Sequence, residues 1–129
     1  MPTMELTRDN FEVTITGNET VLVDFWASWC GPCRAFGPVF ERASEENPDL
    51  VFAKVDTEDQ QELAAAFGIR SIPTLMIFRD RIVLYSQPGA LPAPMLDDLI
   101  GRVRALDMEE VRRSLADHES HDHEGHPPS

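Results

Sequence analysis

The chain has 129 residues, 42% of them hydrophobic, which suits one compact domain with a modest core and excludes a multidomain machine. Its 23 acidic and 11 basic residues leave a formal charge of -12 and a pI near 4.5, so a nucleic-acid backbone or an anionic lipid surface would repel most of its exterior. No apolar run approaches the roughly 20 residues of a membrane-spanning helix, and residues 1–10 lack the roughly 7 to 15 apolar residues of a secretory signal, so a cytoplasmic protein is expected.

In chain order, Leu6, Asn10, Phe11 and Val13 to Ile15 fit a short amphipathic helix, with Thr7 as its N-cap and Gly17 as its stop. Val21 to Trp26 reads as a buried strand, rich in β-branched and aromatic residues. Asp24 is out of place there, because an ionised carboxylate costs several kcal/mol to bury without a partner. After Cys30-Gly31-Pro32-Cys33, the spacing of Phe36, Val39, Phe40 and Ala43 predicts a helix from Arg34 to Glu46, kinked near Arg34 to Phe36 by Pro38. Asn47-Pro48-Asp49 ends it. Leu50 to Asp56 predicts the next buried strand, and Glu58 to Phe67 a helix closed by Gly68.

Pro73 then opens a strand from Thr74 to Phe78, which a turn at Arg79 to Arg81 joins to a strand from Ile82 to Gln87. Pro88-Gly89 breaks this hairpin. Pro92 and Pro94 suit the first turn of a last helix carrying Met95, Leu96, Leu99, Ile100, Val103 and Leu106 at three-to-four residue spacing. Parallel strands joined by a crossover helix, then a hairpin and a closing helix, predict an α/β domain over residues 1–106, its central mixed β-sheet flanked by helices on both faces. Residues 107–129 are a C-terminal extension, helical to about residue 116 and then an acidic, histidine-containing, disordered tail with no large apolar residue. Seven acids against Arg112 and Arg113 put about -5 of the charge in this extension and leave about -7 on the domain.

Cys30 and Cys33 are the only cysteines, and the loop they could close is too short to restrain an unfolded chain, which argues against a structural staple. Two thiols in this spacing at a strand-to-helix junction suit reversible disulfide exchange. Cys30, ahead of the first helical turn, meets unpaired N–H groups and the positive end of the helix dipole, which favour its thiolate as the attacking sulfur. Cys33, further into the helix and more desolvated, would stay protonated until it resolves the mixed disulfide. Trp26 and Trp29 offer an apolar landing surface or are ordinary core residues, Gly31 permits close approach of another chain, and Arg34 adds a positive charge. A zinc site at the dithiol is disfavoured, since one such pair supplies two ligands where structural zinc takes four. The histidines at 118, 121, 123 and 126 could bind a transition metal weakly or simply keep the tail soluble.

Trp26-Ala27-Ser28-Trp29-Cys30-Gly31-Pro32-Cys33 resembles the active-site motif of the thioredoxin family, and further motifs fall in register with it. Val23-Asp24-Phe25-Trp26 is similar to the strand before that site, Ala53-Lys54-Val55-Asp56 to the next strand, and Gly68 to Leu75 to the loop bearing a cis-proline. The resemblance covers about Met4 to Leu106. It implies the thioredoxin fold and a protein dithiol-disulfide oxidoreductase that reduces protein disulfides. Within that reading, Asp24 is a buried carboxylate that moves a proton to or from Cys33 through water, with Lys54 as its candidate counter-charge; the alternative is a satisfied structural carboxylate. Trp29, Gly31, Pro32, Ile72, Pro73 and Gly89 meet the substrate. Ile72 pairs through its backbone with the bound strand, Pro73 packs on the dithiol, and Gly89 either keeps the groove open or serves as a turn glycine. Pro32 between the cysteines resembles the reductase version of the motif.

Implied partners are thioredoxin reductase as electron donor and oxidised proteins as substrates, with no nucleic acid, no membrane, no metal and no cofactor, the protein acting as a monomer. The alternative is a non-catalytic binding or chaperone module that recruits partners through its acidic surface and tail. Arg79-Asp80-Arg81 departs from the Asn-Gly or Asp-Gly usual in the family, which leaves the turn type and hairpin register open.

Overall fold

In the computed structural model, which describes residues 2–125 and side chains as far as Asp117, the central element is β2 (Thr20–Trp26). Its first six residues are buried, as the unbroken apolar run requires of a strand with both faces covered. β2 pairs in parallel with β3 (Val51–Asp56), a connection that needs a crossover, and α2 (Gly31–Glu46) supplies it. On its other edge β2 pairs antiparallel with β4 (Thr74–Arg79), which continues into β5 (Ile82–Pro88). A short strand, β1 (Thr3–Glu5), adds to β3 in parallel, so the sheet order is β1-β3-β2-β4-β5. The expected α/β class with a mixed sheet flanked by helices is what forms.

Strand alternation sorts the core into two layers. Val21, Val23 and Phe25 lie on one face with Ala53, Val55, Met76 and Phe78, packed against Ile15 of α1 (Phe11–Gly17) and Leu63 of α3 (Gln61–Ala66). Rings of Phe11, Phe25, Phe67 and Phe78 interlock in tilted and edge-on pairs there, at centroid distances of 5.3 to 6.1 Å. On the opposite face Phe40 of α2 stands edge-on to Phe52 of β3 at 5.2 Å, with Phe36 one turn earlier. Leu22, Asp24 and Trp26 share that face by alternation. α2 runs continuously through Pro38 and buries Cys33, Phe36, Phe40, Ala43 and Ser44.

Several local expectations are corrected. β1 was not anticipated, since three residues cannot display a period, and Leu6 is fully buried just after it and not in a helix. Thr7 does not cap α1. Asn10 occupies that position, and its amide closes the β1–α1 loop by accepting the Thr7 N–H (2.7 Å) and donating to the Glu5 carbonyl (3.0 Å). α3 begins at Gln61, not Glu58, because Asp56 Oδ1 accepts the Glu58 N–H (3.0 Å) and holds a turn there instead. Gly68, at φ +64°, follows α3 as expected.

The described residues divide into two compact units, one ending at Asp98 and one beginning at Leu99. Leu96, Ile100 and Val103 form the buried stripe of α4 (Ala93–Ala105). Residues Met108 onward start a separate helix, not a continuation: Asp107 Oδ1 accepts the N–H groups of Glu109 (3.0 Å) and Glu110 (3.3 Å), the geometry of a new N-cap. α5 (Met108–Gly125) extends past the expected helical limit near residue 116, consistent with a stretch free of proline up to Gly125 and the Pro127-Pro128 stop signal. The disordered-tail expectation for residues 126–129 lies outside the described residues, as does metal binding by the side chains of His118, His121, His123 and His126. No helix among the described residues is long and apolar enough to cross a membrane.

The hairpin turn, left open by its sequence, is a two-residue loop with Arg79 opposite Ile82 and both Asp80 (φ 52°) and Arg81 (φ 69°) left-handed. That is type I′ geometry, which follows the strand twist. A register shift between Ile77 and Phe78 pairs them with Tyr85 and Val83 and leaves Leu84 unopposed as a bulge on β5. Left-handed backbone costs about 1 to 2 kcal/mol for a residue such as arginine, partly offset in a glycine variant by the extra freedom of its unfolded chain. Arg81→Gly is therefore expected to stabilise the protein by roughly 0.5 to 1 kcal/mol and raise Tm by about 2 to 6 °C. Thermal unfolding followed by circular dichroism checks this, and an unchanged or lower Tm would contradict the turn assignment.

Candidate active site

β2 ends at Trp26, and four residues later Cys30 adopts the extended conformation of an N-cap (φ -86°, ψ 118°) for α2. The turn between them is closed by the Cys30 N–H donating to the Ala27 carbonyl at 3.2 Å. The Cys30 carbonyl accepts the first helical bond, from the Arg34 N–H at 3.2 Å, and Pro32 sits in the first turn, where its missing N–H costs nothing. The Cys33 N–H donates to Cys30 Sγ at 3.2 Å. An otherwise unpaired helix-terminal donor thus points at one sulfur and not at the other, which favours negative charge on Cys30.

The two sulfurs are joined as a disulfide with the Cα atoms 5.2 Å apart, within the reach of such a bridge. With the bridge closed the two cysteines are buried nearly alike, Cys30 at 5% and Cys33 at 4% exposure. In this closed form the N–H contact is what distinguishes them.

Trp26 and Ile72 pack on the cluster of Ala27, Cys30 and Cys33. Ile72 comes from the loop before β4, where its bond to Pro73 is cis, and its carbonyl oxygen lies 3.6 Å from Cys30 Sγ. The Pro73 carbonyl accepts the Gly89 N–H at 2.8 Å and ties a third segment to the site. Gly89 has φ +114°, and a Cβ built there would meet nothing within 4 Å, so its backbone conformation requires glycine and crowding by the chain does not. Gly31 and Pro32 are exposed, and Trp29, at 64% exposure, projects from the surface.

Asp24 lies 1% exposed in β2, and neither carboxylate oxygen has a hydrogen-bond partner. Burial pushes its pKa from 3.8 up to about 7, opposed in part by the Lys54 charge. Lys54 stands opposite Asp24 in the β2–β3 register, but its Nζ lies 4.8 Å from the centroid of the Trp26 ring. The ammonium makes a cation–π contact there, while the carboxylate beside it has no hydrogen bond.

Two supports escape sequence reading. The Thr57 N–H and hydroxyl both donate to the Trp26 carbonyl, at 2.9 and 3.0 Å, and secure the end of β2; only the turn-forming Asp56-Thr57 hints at this. Arg34 Nη1 donates to the Ser28 carbonyl at 3.0 Å, a contact that the presence of a basic residue at position 34 does not announce. Among the described residues no group of three or more His, Cys, Asp and Glu is placed to hold a metal ion.

Comparison with known proteins places this geometry in context. The Thioredoxin family model matches residues 2–102. A Streptomyces coelicolor protein named "Putative thioredoxin 2" is 62% identical over 118 residues, covering 92% of this chain and 88% of that one. A thioredoxin of Alicyclobacillus acidocaldarius is 43% identical over 103 residues, covering 75% and 98%. Among solved structures, a mutant thioredoxin from Halobacterium salinarum superposes with a TM-score of 0.74 at 33% identity, covering 82% of this chain and 95% of that one.

The raised Asp24 pKa has a definite sign in stability. The folded state holds this proton more tightly than the unfolded chain, so the contribution is greatest below pH 3.8 and is lost as pH rises toward about 7. Asp24→Asn removes the titration. In the oxidised protein the stability difference, variant minus native, should grow by roughly 2 to 3 kcal/mol between pH 5 and pH 8.5. Urea unfolding at the two pH values measures it, and a difference constant with pH would refute the assigned burial cost.

Proposed function

Starting from a chain that belongs to the thioredoxin family and is a protein dithiol-disulfide oxidoreductase, we propose that Cys30 attacks, Cys33 resolves and Asp24 handles the proton between them. The observation that carries this reading is the Cys33 N–H directed at Cys30 Sγ at the cap of α2. The Cys30 thiolate attacks one sulfur of a substrate disulfide, forming a mixed disulfide and releasing the first substrate thiolate. Cys33 then gives up its proton and attacks Cys30 Sγ. The second substrate thiolate leaves, the substrate has gained two electrons, and the Cys30–Cys33 bridge has formed.

Asp24, with a pKa near 7, is matched to accepting the Cys33 proton at neutral pH, through water, and Lys54 keeps that pKa from rising further. The substrate strand would run along Ile72, which packs on the dithiol with its carbonyl 3.6 Å from Cys30 Sγ, and past Pro73, with Trp29, Gly31 and Pro32 forming one bank and Gly89 the other. We assign the activity to residues 1–106, acting as a monomer in the cytoplasm, where thiol-reducing donors keep such a pair reduced. Thioredoxin reductase, drawing on NADPH, is the proposed donor that returns the bridge to the dithiol.

Insulin disulfide reduction coupled to purified thioredoxin reductase and NADPH tests activity, direction and donor together. Native protein should sustain NADPH oxidation, and Cys30→Ser should abolish it; turnover that survives this substitution would defeat the reading. Asp24→Asn should slow resolution of the mixed disulfide by about tenfold or more while leaving the first attack within about twofold. Stopped-flow fluorescence separates the two steps, and equal slowing of both would remove the proton role from Asp24.

A further inference from the structure

The proposed cycle leaves Arg34 unexplained. It lies four residues after Cys30, one turn along α2, yet its guanidinium turns back across the helix start, and Nη1 donates to the Ser28 carbonyl at 3.0 Å. That carbonyl belongs to the peptide unit joining Ser28 to Trp29. Without Arg34 the turn from Ala27 to Cys30 would have one described backbone bond, from the Cys30 N–H to the Ala27 carbonyl. The plane of the Ser28–Trp29 peptide would then be free to rotate about its flanking dihedrals. Ala27 is fully buried and Cys30 nearly so, whereas Ser28 and Trp29 between them are exposed, so packing anchors the two ends of the turn and not its middle.

The geometry points to Arg34 as a positioning residue for substrate recognition: it clamps the middle of the turn to the first turn of α2 and so holds the Trp29 ring outward at the rim of the dithiol. Arginine suits the task. Its planar fork of donors reaches a carbonyl in a fixed orientation, while a lysine in the same place would offer a mobile point charge. Holding an exposed indole in one orientation before binding lowers the ordering cost when a protein substrate covers it. A small reagent that meets only the sulfur gains nothing from this. The inference rests on the reading that Trp29 contacts substrate, and it assigns the side chain that prepares that contact.

The test compares a protein disulfide with a small thiol reagent in Arg34→Ala, Arg34→Lys and Trp29→Ala variants. Arg34→Ala should raise KM for insulin by about fivefold, the scale of one exposed charge-assisted hydrogen bond, with kcat nearly unchanged. Its Cys30 should react with iodoacetamide within about twofold of native at a pH where the thiol is fully ionised. Arg34→Lys should recover only part of the lost KM. Time-resolved fluorescence anisotropy in a Trp26→Phe background should show faster local motion of Trp29 in the alanine variant. Equal KM and equal anisotropy in native and Arg34→Ala proteins would overturn the clamp. So would a parallel fall of the insulin and iodoacetamide rates, which would mark an effect on the sulfur itself. Trp29→Ala separately examines the underlying reading: an unchanged KM there would remove Trp29 from recognition, and the clamp's proposed purpose with it, while the anisotropy would still report whether the clamp exists.

Discussion

A single backbone N–H, that of Cys33, directed at the sulfur of Cys30, is the contact around which this molecule is arranged. It exists because α2 begins one residue after Cys30, so that the donors of its first turn have no helical acceptor and one of them finds the sulfur. The helix must begin there because β2 ends at Trp26, where the two bonds from Thr57 secure the last carbonyl of the strand. The position of β2 is set in turn by its hydrogen-bonded neighbours and by burial on both faces. Rigidity of the sheet is thereby handed to two sulfur atoms. Catalytic geometry built on a strand end and a helix start is more reproducible than geometry built on loops alone.

Asp24 is the cost of that arrangement. A strand central to a sheet and covered on both sides is the most apolar place in the fold, and this carboxylate sits there with no hydrogen bond. A lysine one strand away would ordinarily neutralise it, but the Lys54 ammonium is held over the Trp26 ring. The outcome is a group whose proton affinity lies near neutral, neither permanently charged nor permanently neutral.

Two stretches far apart in the chain meet at the dithiol, the turn and helix start from Ala27 to Arg34 and the Ile72–Pro73 step, and Gly89 is tied to the second of them. Each is held by a bond made at a distance from the sulfur, namely Arg34 to Ser28 and Gly89 to Pro73. The sulfurs thus lie among the side chains of Trp26, Ala27 and Ile72, with two backbone groups, the Cys33 N–H and the Ile72 carbonyl, beside Cys30 Sγ.

Much of this was legible in the residues. Val21 to Trp26 declared a buried strand by composition, the spacing of Phe36, Phe40 and Ala43 declared the helix, and Asp24 was conspicuous because its charge contradicts its neighbours. β1 was not legible, because a three-residue edge strand has no pattern and exists only by pairing with β3. The start of α5 was missed because the apolar spacing gives no sign of the break, while the Asp107 cap that marks it is a single side-chain contact. What the sequence by itself determined was everything carried by local periodicity, caps and covalent spacing: the order of the principal elements, two thiols three positions apart at a helix mouth, and a misplaced carboxylate. What only the tertiary structure decided was which atoms face one another: the strand order, the left-handed turn at Asp80-Arg81, the near-equal burial of the two cysteines, Lys54 over Trp26, and Arg34 folded back on Ser28. Periodicity and caps act within a few residues of themselves, whereas those contacts depend on how whole elements pack and on which of several reachable partners a long side chain meets.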